Sequence, residues 1–269
     1  MTEELFRQDA TLAQCRATVL AVTEAGVVLD RTVFYPLGGG QAGDAGWMET
    51  AGGSRIAIAD TRKEKDADGA ATGRIVHLPA PDQGEALSKL VIGETVLACI
   101  DMPRRRRLMR FHTASHLLCH LVPVPVNGCS ITPEHARIDF HMSEPLDKEQ
   151  LTAGLARLVA AGWPVVVGRV TDAELDAHPE LVKSMSVQPP RGSGTVRTIR
   201  IGAAPADAER IGAAPADAER IGAPGSELID LQPCGGTHVA NTAEIGAVVV
   251  TRIEKKSAMT RRVVLGLVD

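Results

Sequence analysis

The chain has 269 residues, of which 44% are hydrophobic and 23% charged, an ordinary globular composition with enough length for one large domain or two modest ones. Its formal net charge of −4 argues against a general nucleic-acid binder, and with only 3% aromatics a platform of stacked rings for bases is not expected. The five cysteines are irregularly spaced and do not read as a disulfide framework, and the acidic start Met1-Thr2-Glu3-Glu4 lacks the regions of a signal peptide. No apolar run approaches membrane-spanning length, so a reduced, cytoplasmic protein with no membrane contact and no obligate protein partner is expected.

The first hundred residues read as β structure. Residues 16–23 and 26–33 are β-branched runs separated by Glu24-Ala25, a hairpin pattern. A glycine-rich segment follows, Gly38-Gly39-Gly40-Gln41-Ala42-Gly43-Asp44-Ala45-Gly46. Residues 54–60 and 74–78 read as a second strand pair joined by a polar loop. Short strands with glycine turns suggest a small β-barrel or sandwich over residues 1–100.

The pattern changes at Asp101-Met102-Pro103. From Arg104 to about Leu121 the apolar residues recur at helical spacing, and Pro123 stops the helix. Residues 131–142 alternate as one extended segment. Residues 147–161 read as an amphipathic helix ended by Gly162, residues 165–170 as a buried strand, and Thr171-x-x-Glu174 as a capping box. Strands are expected at 196–201, 246–253 and 261–267. The mixed order points to an α+β fold, with a second domain over 101–269. Residues 200–209 repeat without change at 210–219, which reads as a slipped duplication enlarging a surface loop at about 202–225.

Two spacings carry chemistry. His112-Thr113-Ala114-Ser115-His116 places two imidazoles on one helix face, within reach of one metal. The helical zinc-protease motif shares this spacing but needs Glu after the first His; here Thr113 occupies that position, so peptidase chemistry loses its support. His120, a turn further on, is either an ordinary helix residue or a replacement ligand. Cys234-Gly235-Gly236-Thr237-His238 supplies a thiolate and an imidazole round a tight turn. Three His and one Cys would give four-coordinate zinc.

Gly38, Gly40 and Gly43 satisfy the dinucleotide-binding spacing, but no helix or βαβ unit follows, so that reading is rejected. The segment is either a structural turn or a loop bringing Gln41 and bare backbone to a ligand. Two basic clusters, Arg104–Arg107 with Arg110, and Lys255, Lys256, Arg261 and Arg262, are either solvated surface or phosphate contacts.

Residues 111–118, containing the His pair, and 231–239, containing the Cys-x-x-x-His turn, resemble the editing domain of alanyl-tRNA synthetase and its free-standing relatives, the AlaX proteins. So do Thr32-Val33-Phe34-Tyr35-Pro36 with the glycine segment, and Ile253-Glu254-Lys255-Lys256. The similarity covers nearly the whole chain, and the glycine-rich half suggests the medium-length AlaX type. No segment resembles an aminoacylation domain, which implies action in trans.

The resemblance implies ATP-independent hydrolysis of Ser-tRNA(Ala) at the 3′ ester, with Gly-tRNA(Ala) as a further candidate substrate and the acceptor end of mischarged tRNA(Ala) as partner. It places Zn2+ on His112, His116, Cys234 and His238, with Cys234 and Gln41 as catalytic candidates. Ser130 or Thr132 is a candidate contact for the serine hydroxyl. Arg104, Arg110, Lys255, Lys256 and Arg262 are candidates for tRNA contact. The rival readings are a threonyl-type seryl-tRNA editing module and a non-catalytic, zinc-stabilised RNA-binding module.

Overall fold

A computed structural model describes residues 1–186, 188–189, 194–202 and 227–268. The duplicated stretch expected to enlarge a loop lies outside them, apart from its edges. The chain divides into two compact units, Met1–Leu108 and Met109–Asp269. The division falls inside a helix rather than at the change of pattern near Asp101. Among the described residues no helix is long and apolar enough to cross a membrane.

The first unit contains β1 (Glu3–Glu4), β2 (Gln14–Thr23), β3 (Gly26–Leu29), β4 (Arg31–Thr32), β5 (Gly46–Thr50), β6 (Arg55–Lys65), β7 (Ala71–Pro79), α1 (Gly84–Ser88) and β8 (Thr95–Ile100), and it ends within α2 (Met102–Leu121). Strands pair in the order β2-β3-β7-β6-β5-β8, and β8 pairs back with β2, closing the sheet into a barrel. The interior is aliphatic: Val19, Val27, Leu29, Met48, Ile56, Ile58, Val96 and Ile100 are buried together with Phe34. Alternation along β6 puts Ile56 and Ile58 inward while Arg55 and Ala57 face out, the period-2 pattern of a half-buried strand. Each such side chain stabilises the unit by roughly 1.5–3 kcal/mol when fully buried.

The expected strand over 26–33 is interrupted at Asp30, whose carboxylate accepts from the Thr18 backbone N–H at 2.7 Å and breaks the ladder. Strands β5 and β8 were not foreseen. They pair with each other across a long stretch of sequence, and a β-carbon on Gly46 would meet Cys99 O at 2.1 Å, so the crossing needs glycine there.

The second unit adds β9 (Val126–Ile131), β10 (Ala136–His141), α3 (Lys148–Ala160), β11 (Val165–Thr171), α4 (Asp172–Ala177), β12 (Thr195–Gly202), β13 (Leu228–Pro233), β14 (Val248–Ser257) and β15 (Thr260–Leu267) to the remainder of α2. They form two sheets, β14-β15-β10-β9 and β11-β12-β13. Of the segment expected to be extended over 131–142, Ala136–His141 is the strand β10, while residues 132–135 form the turn that pairs it with β9. Thr132 Oγ1 accepts the backbone N–H groups of Glu134 and His135 at 3.3 and 3.2 Å, and Pro133 has no N–H to offer a ladder.

Helix α3 starts where Asp147 accepts from Gln150 N at 2.8 Å, and Gly162 leaves it at φ 65°. The capping box opening α4 forms as its sequence indicates: Thr171 Oγ1 accepts from Glu174 N at 3.1 Å, and Glu174 Oε2 from Thr171 N at 2.7 Å. Helix α2 lies where its spacing indicates, and apart from the half-buried Arg110 every residue from Leu108 to Cys119 is buried, so its polar side chains need protein partners.

Candidate functional site

Helix α2 carries His112 and His116 on successive turns, and their ring centroids lie 5.4 Å apart. Strand β13 ends at Pro233, and the turn through Gly235 and Gly236 returns the chain so that His238 comes to the same point. Cys234 Sγ lies 3.4 Å from His112 Nε2 and 3.3 Å from His238 Nε2. One donor atom from each of His112, His116, Cys234 and His238 falls within 4.8 Å of the others, an arrangement that could hold a metal ion.

The turn is clamped from β12. Cys234 N donates to Arg197 O at 3.1 Å, and Arg197 Nη1 donates to Cys234 O at 2.5 Å. Gly236 N points at Cys234 Sγ from 3.4 Å, a donor aimed at a thiolate.

The surroundings polarise the cluster. Burial alone would raise the Cys234 thiol, but the neighbouring His112 and His238 outweigh it and hold it well below the ordinary thiol range. Burial would likewise lower His116, yet hydrogen bonds to Asp230 and Cys234 lift it to about 9. Burial, reinforced by His112, pushes His238 down to about 3. Asp230 is buried, which would raise it, but its contacts with His116 and Lys183 keep its carboxyl below the usual value. A thiolate is the state of Cys234 that metal binding requires, and His116 would give up one proton in favour of an ion bound there.

Two features suit a tetrahedral ion. Sulfur and nitrogen ligands of one zinc stand about 3.6 Å apart, given Zn–S and Zn–N lengths of about 2.3 and 2.1 Å. The contacts of 3.3 and 3.4 Å come close to this before any adjustment. Behind the rings, Asp230 Oδ2 meets His116 Nδ1 at 2.7 Å, and Thr113 Oγ1 meets His238 Nδ1 at 3.1 Å. Neither residue stands out in the sequence as part of the site; Asp230 is on β13, and only folding brings it to α2. Lys183, which donates to Asp230 Oδ1, was equally invisible.

The other expected site residues are scattered over the two units. Gln41 is fully buried in the first, where Gly38 and Gln41 exchange backbone hydrogen bonds of 3.1 and 3.0 Å around Gly39 and Gly40, both at positive φ. This is a two-residue hairpin turn that only glycines enter without strain. Ser130 is half-buried on β9, opposite Arg137, while the Thr132 hydroxyl is engaged in the β9–β10 turn. Arg104 donates to Gly43 O at 2.6 Å and Arg110 to Ile245 O at 2.7 Å. Arg262 forks onto Asp139 at 2.7 and 2.8 Å. Lys255 and Lys256 are exposed on β14. His120 stands outside the four-donor cluster.

Two family models match the chain: tRNA synthetases class II (A) over residues 6–104, and the threonyl and alanyl tRNA synthetase second additional domain over residues 196–264. The alanyl-tRNA editing protein AlaX-M of Saccharolobus solfataricus is 29% identical over 267 residues, covering 98% of each chain. The AlaX-M of Methanosarcina acetivorans is 27% identical and is covered along its full length, as is this chain. The alanine–tRNA ligase of Thermus thermophilus is 34% identical over 90% of this chain, which spans 24% of that enzyme. The chain is thus similar from end to end to the two AlaX-M proteins, and to only part of the ligase.

Proposed function

We propose that this protein is a zinc-dependent deacylase that edits mischarged tRNA(Ala) in trans, releasing serine from Ser-tRNA(Ala) and glycine from Gly-tRNA(Ala), and so supports translation fidelity in the cytoplasm. The observation that carries the reading is the convergence of His112, His116, Cys234 and His238 in a chain similar along its length to proteins named for alanyl-tRNA editing. Three nitrogens and one sulfur suit zinc better than a hard cation such as magnesium. Bound there, zinc would supply Lewis-acid polarisation for ester hydrolysis.

The chain's own residues have distinct tasks. His112, His116, Cys234 and His238 hold the ion. The half-buried Ser130 is a better contact for a serine hydroxyl than Thr132, whose own hydroxyl closes a hairpin. Such a polar contact would be left unpaired by alanine, which rejects the correct product more strongly than a size sieve. The glycine turn around Gln41 contributes bare backbone to the acceptor end. Exposed Lys255 suits phosphate, as does Lys256 once it leaves Glu254, 3.7 Å away, whereas Arg104, Arg110 and Arg262 hydrogen-bond a carbonyl or a carboxylate.

A threonyl-type activity is the second reading, because one matched family model describes both synthetases. Incubation of the purified protein with Ser-tRNA(Ala), Gly-tRNA(Ala), Ala-tRNA(Ala) and Ser-tRNA(Thr) decides between them. Deacylation of the first two alone is expected. Cleavage confined to Ser-tRNA(Thr) supports the threonyl reading, and no cleavage with zinc bound leaves an RNA-binding module.

A further inference from the structure

Two of the clustered histidines, His116 and His238, are each held from behind. An imidazole offering Nε2 to a cation carries its remaining proton on Nδ1, and in a dry interior that proton needs an acceptor. Asp230, 2% exposed, provides one for His116: its Oδ2 lies 2.7 Å from His116 Nδ1 and also accepts from Gln232 Nε2 at 2.9 Å. Lys183 Nζ occupies the other carboxylate oxygen, so the charge of Asp230 is balanced and the group cannot swing away freely.

Thr113 provides the second acceptor. It is fully buried, and its Oγ1 stands 3.1 Å from His238 Nδ1 and 3.3 Å from Val239 N. The Val239 amide is a donor, and a His238 ring with Nε2 turned toward Cys234 donates from Nδ1. The hydroxyl then accepts both protons with its two lone pairs. One threonine on α2 thereby fixes both the ring and the backbone of the turn that brings His238 to the site. A glutamate here would fit catalysis by a general base; a threonine fits ring orientation.

We propose that Thr113 and Asp230 are positioning residues for the metal, setting His238 and His116 in the tautomer and orientation that present Nε2 beside Cys234. This rests on the zinc reading above, and its test separates the two. Zinc affinity of the full chain is measured by competition with a chromogenic chelator for wild type, Thr113→Val, Thr113→Ser and Asp230→Asn, together with the visible absorption of the cobalt-substituted proteins.

Thr113→Val and Asp230→Asn are each expected to weaken zinc binding about 10- to 100-fold and to alter the cobalt bands. Thr113→Ser, which keeps the acceptor, should restore both affinity and bands, a rescue that a purely steric role of the methyl group would not give. Zinc held equally tightly by wild type, valine and asparagine forms, with unchanged cobalt spectra, overturns the proposal while leaving the zinc site standing. A wild-type chain that takes up no zinc overturns both. If the variants do not fold, long-range proton–nitrogen NMR of the zinc-loaded wild type still decides. Protons on Nδ1 of His116 and His238 are expected, and a proton on Nε2 of either ring overturns the assignment.

Discussion

Arg105 Nε lies 3.0 and 2.9 Å from the two carboxylate oxygens of Asp44, and both side chains are shut off from solvent. The same guanidinium donates to Val33 O at 2.7 Å and to Ala10 O at 2.8 Å, while Asp44 Oδ2 also accepts from Tyr35 N at 2.6 Å. One buried pair therefore ties the start of α2 to the segments before and after the glycine turn. Within an arginine run that reads as either solvated surface or phosphate contacts, Arg105 is instead a buried structural tie.

Removing one partner leaves the other charge buried. Arg105→Met should destabilise the first unit by about 3–5 kcal/mol, and adding Asp44→Asn should recover part of the loss. Urea unfolding followed by Trp47 fluorescence in a Trp163→Phe background measures this. A midpoint unchanged by Arg105→Met would show that the pair contributes nothing.

His77 gives the first unit an acid sensitivity. Its ring is fully buried, with Nδ1 3.0 Å from Val27 O and Nε2 2.8 Å from Thr32 Oγ1. Burial lowers its pKa from 6.5 to about 4, against the opposing hydrogen bond to Val27. Between those values the unfolded chain binds more protons than the folded one, so stability rises with pH. The contribution is complete above about pH 6.5 and is lost as pH falls toward 4, on the order of 3 kcal/mol in all. Urea midpoints at pH 7 and 4.5 should differ less for His77→Gln than for wild type; equal differences would rule His77 out as the source.

Gly46→Ala tests the crossing of β5 and β8. The added methyl would meet Cys99 O at 2.1 Å and Ile100 Cα at 2.8 Å, both backbone atoms that cannot rotate aside. A loss of about 1–3 kcal/mol or more is expected, as for overpacking of a well-filled interior. An unshifted melting temperature would mean that the two strands separate without penalty.

Cys234→Ala removes the sole sulfur donor from the cluster. Zinc affinity should fall more than about 100-fold, beyond the effect of an outer partner, and deacylation should go with it. Metal content by atomic absorption and the deacylation assay check this together, and full activity in the variant would refute the assigned site.

Much of the metal cluster was legible because each half is local. The i, i+4 spacing of His112 and His116 follows from helical geometry, and Cys234 and His238 flank a glycine turn short enough to bring them together. The convergence of the halves was an inference from ligand chemistry and resemblance. The structure supplies it by clamping the Cys234 turn onto Arg197 of β12. Periodicity located α2 nearly to the residue, but it could not tell that the helix is buried on nearly every side, its His, Thr and Ser included.

What the sequence determined by itself, then, is the set of local structures and donor types: the mixed α+β class, the capping box at Thr171, the glycine turn and the two donor pairs, all governed by neighbours within a few residues. What only the tertiary structure decided is pairing across long separations. Closure of β8 onto β2, the burial of Arg105 against Asp44, and the arrival of Asp230 and Thr113 behind the clustered imidazoles all depend on it. A carboxylate or a hydroxyl looks the same in the sequence whether it faces water or a buried ring, because its role is set by the desolvation and the partner that folding gives it.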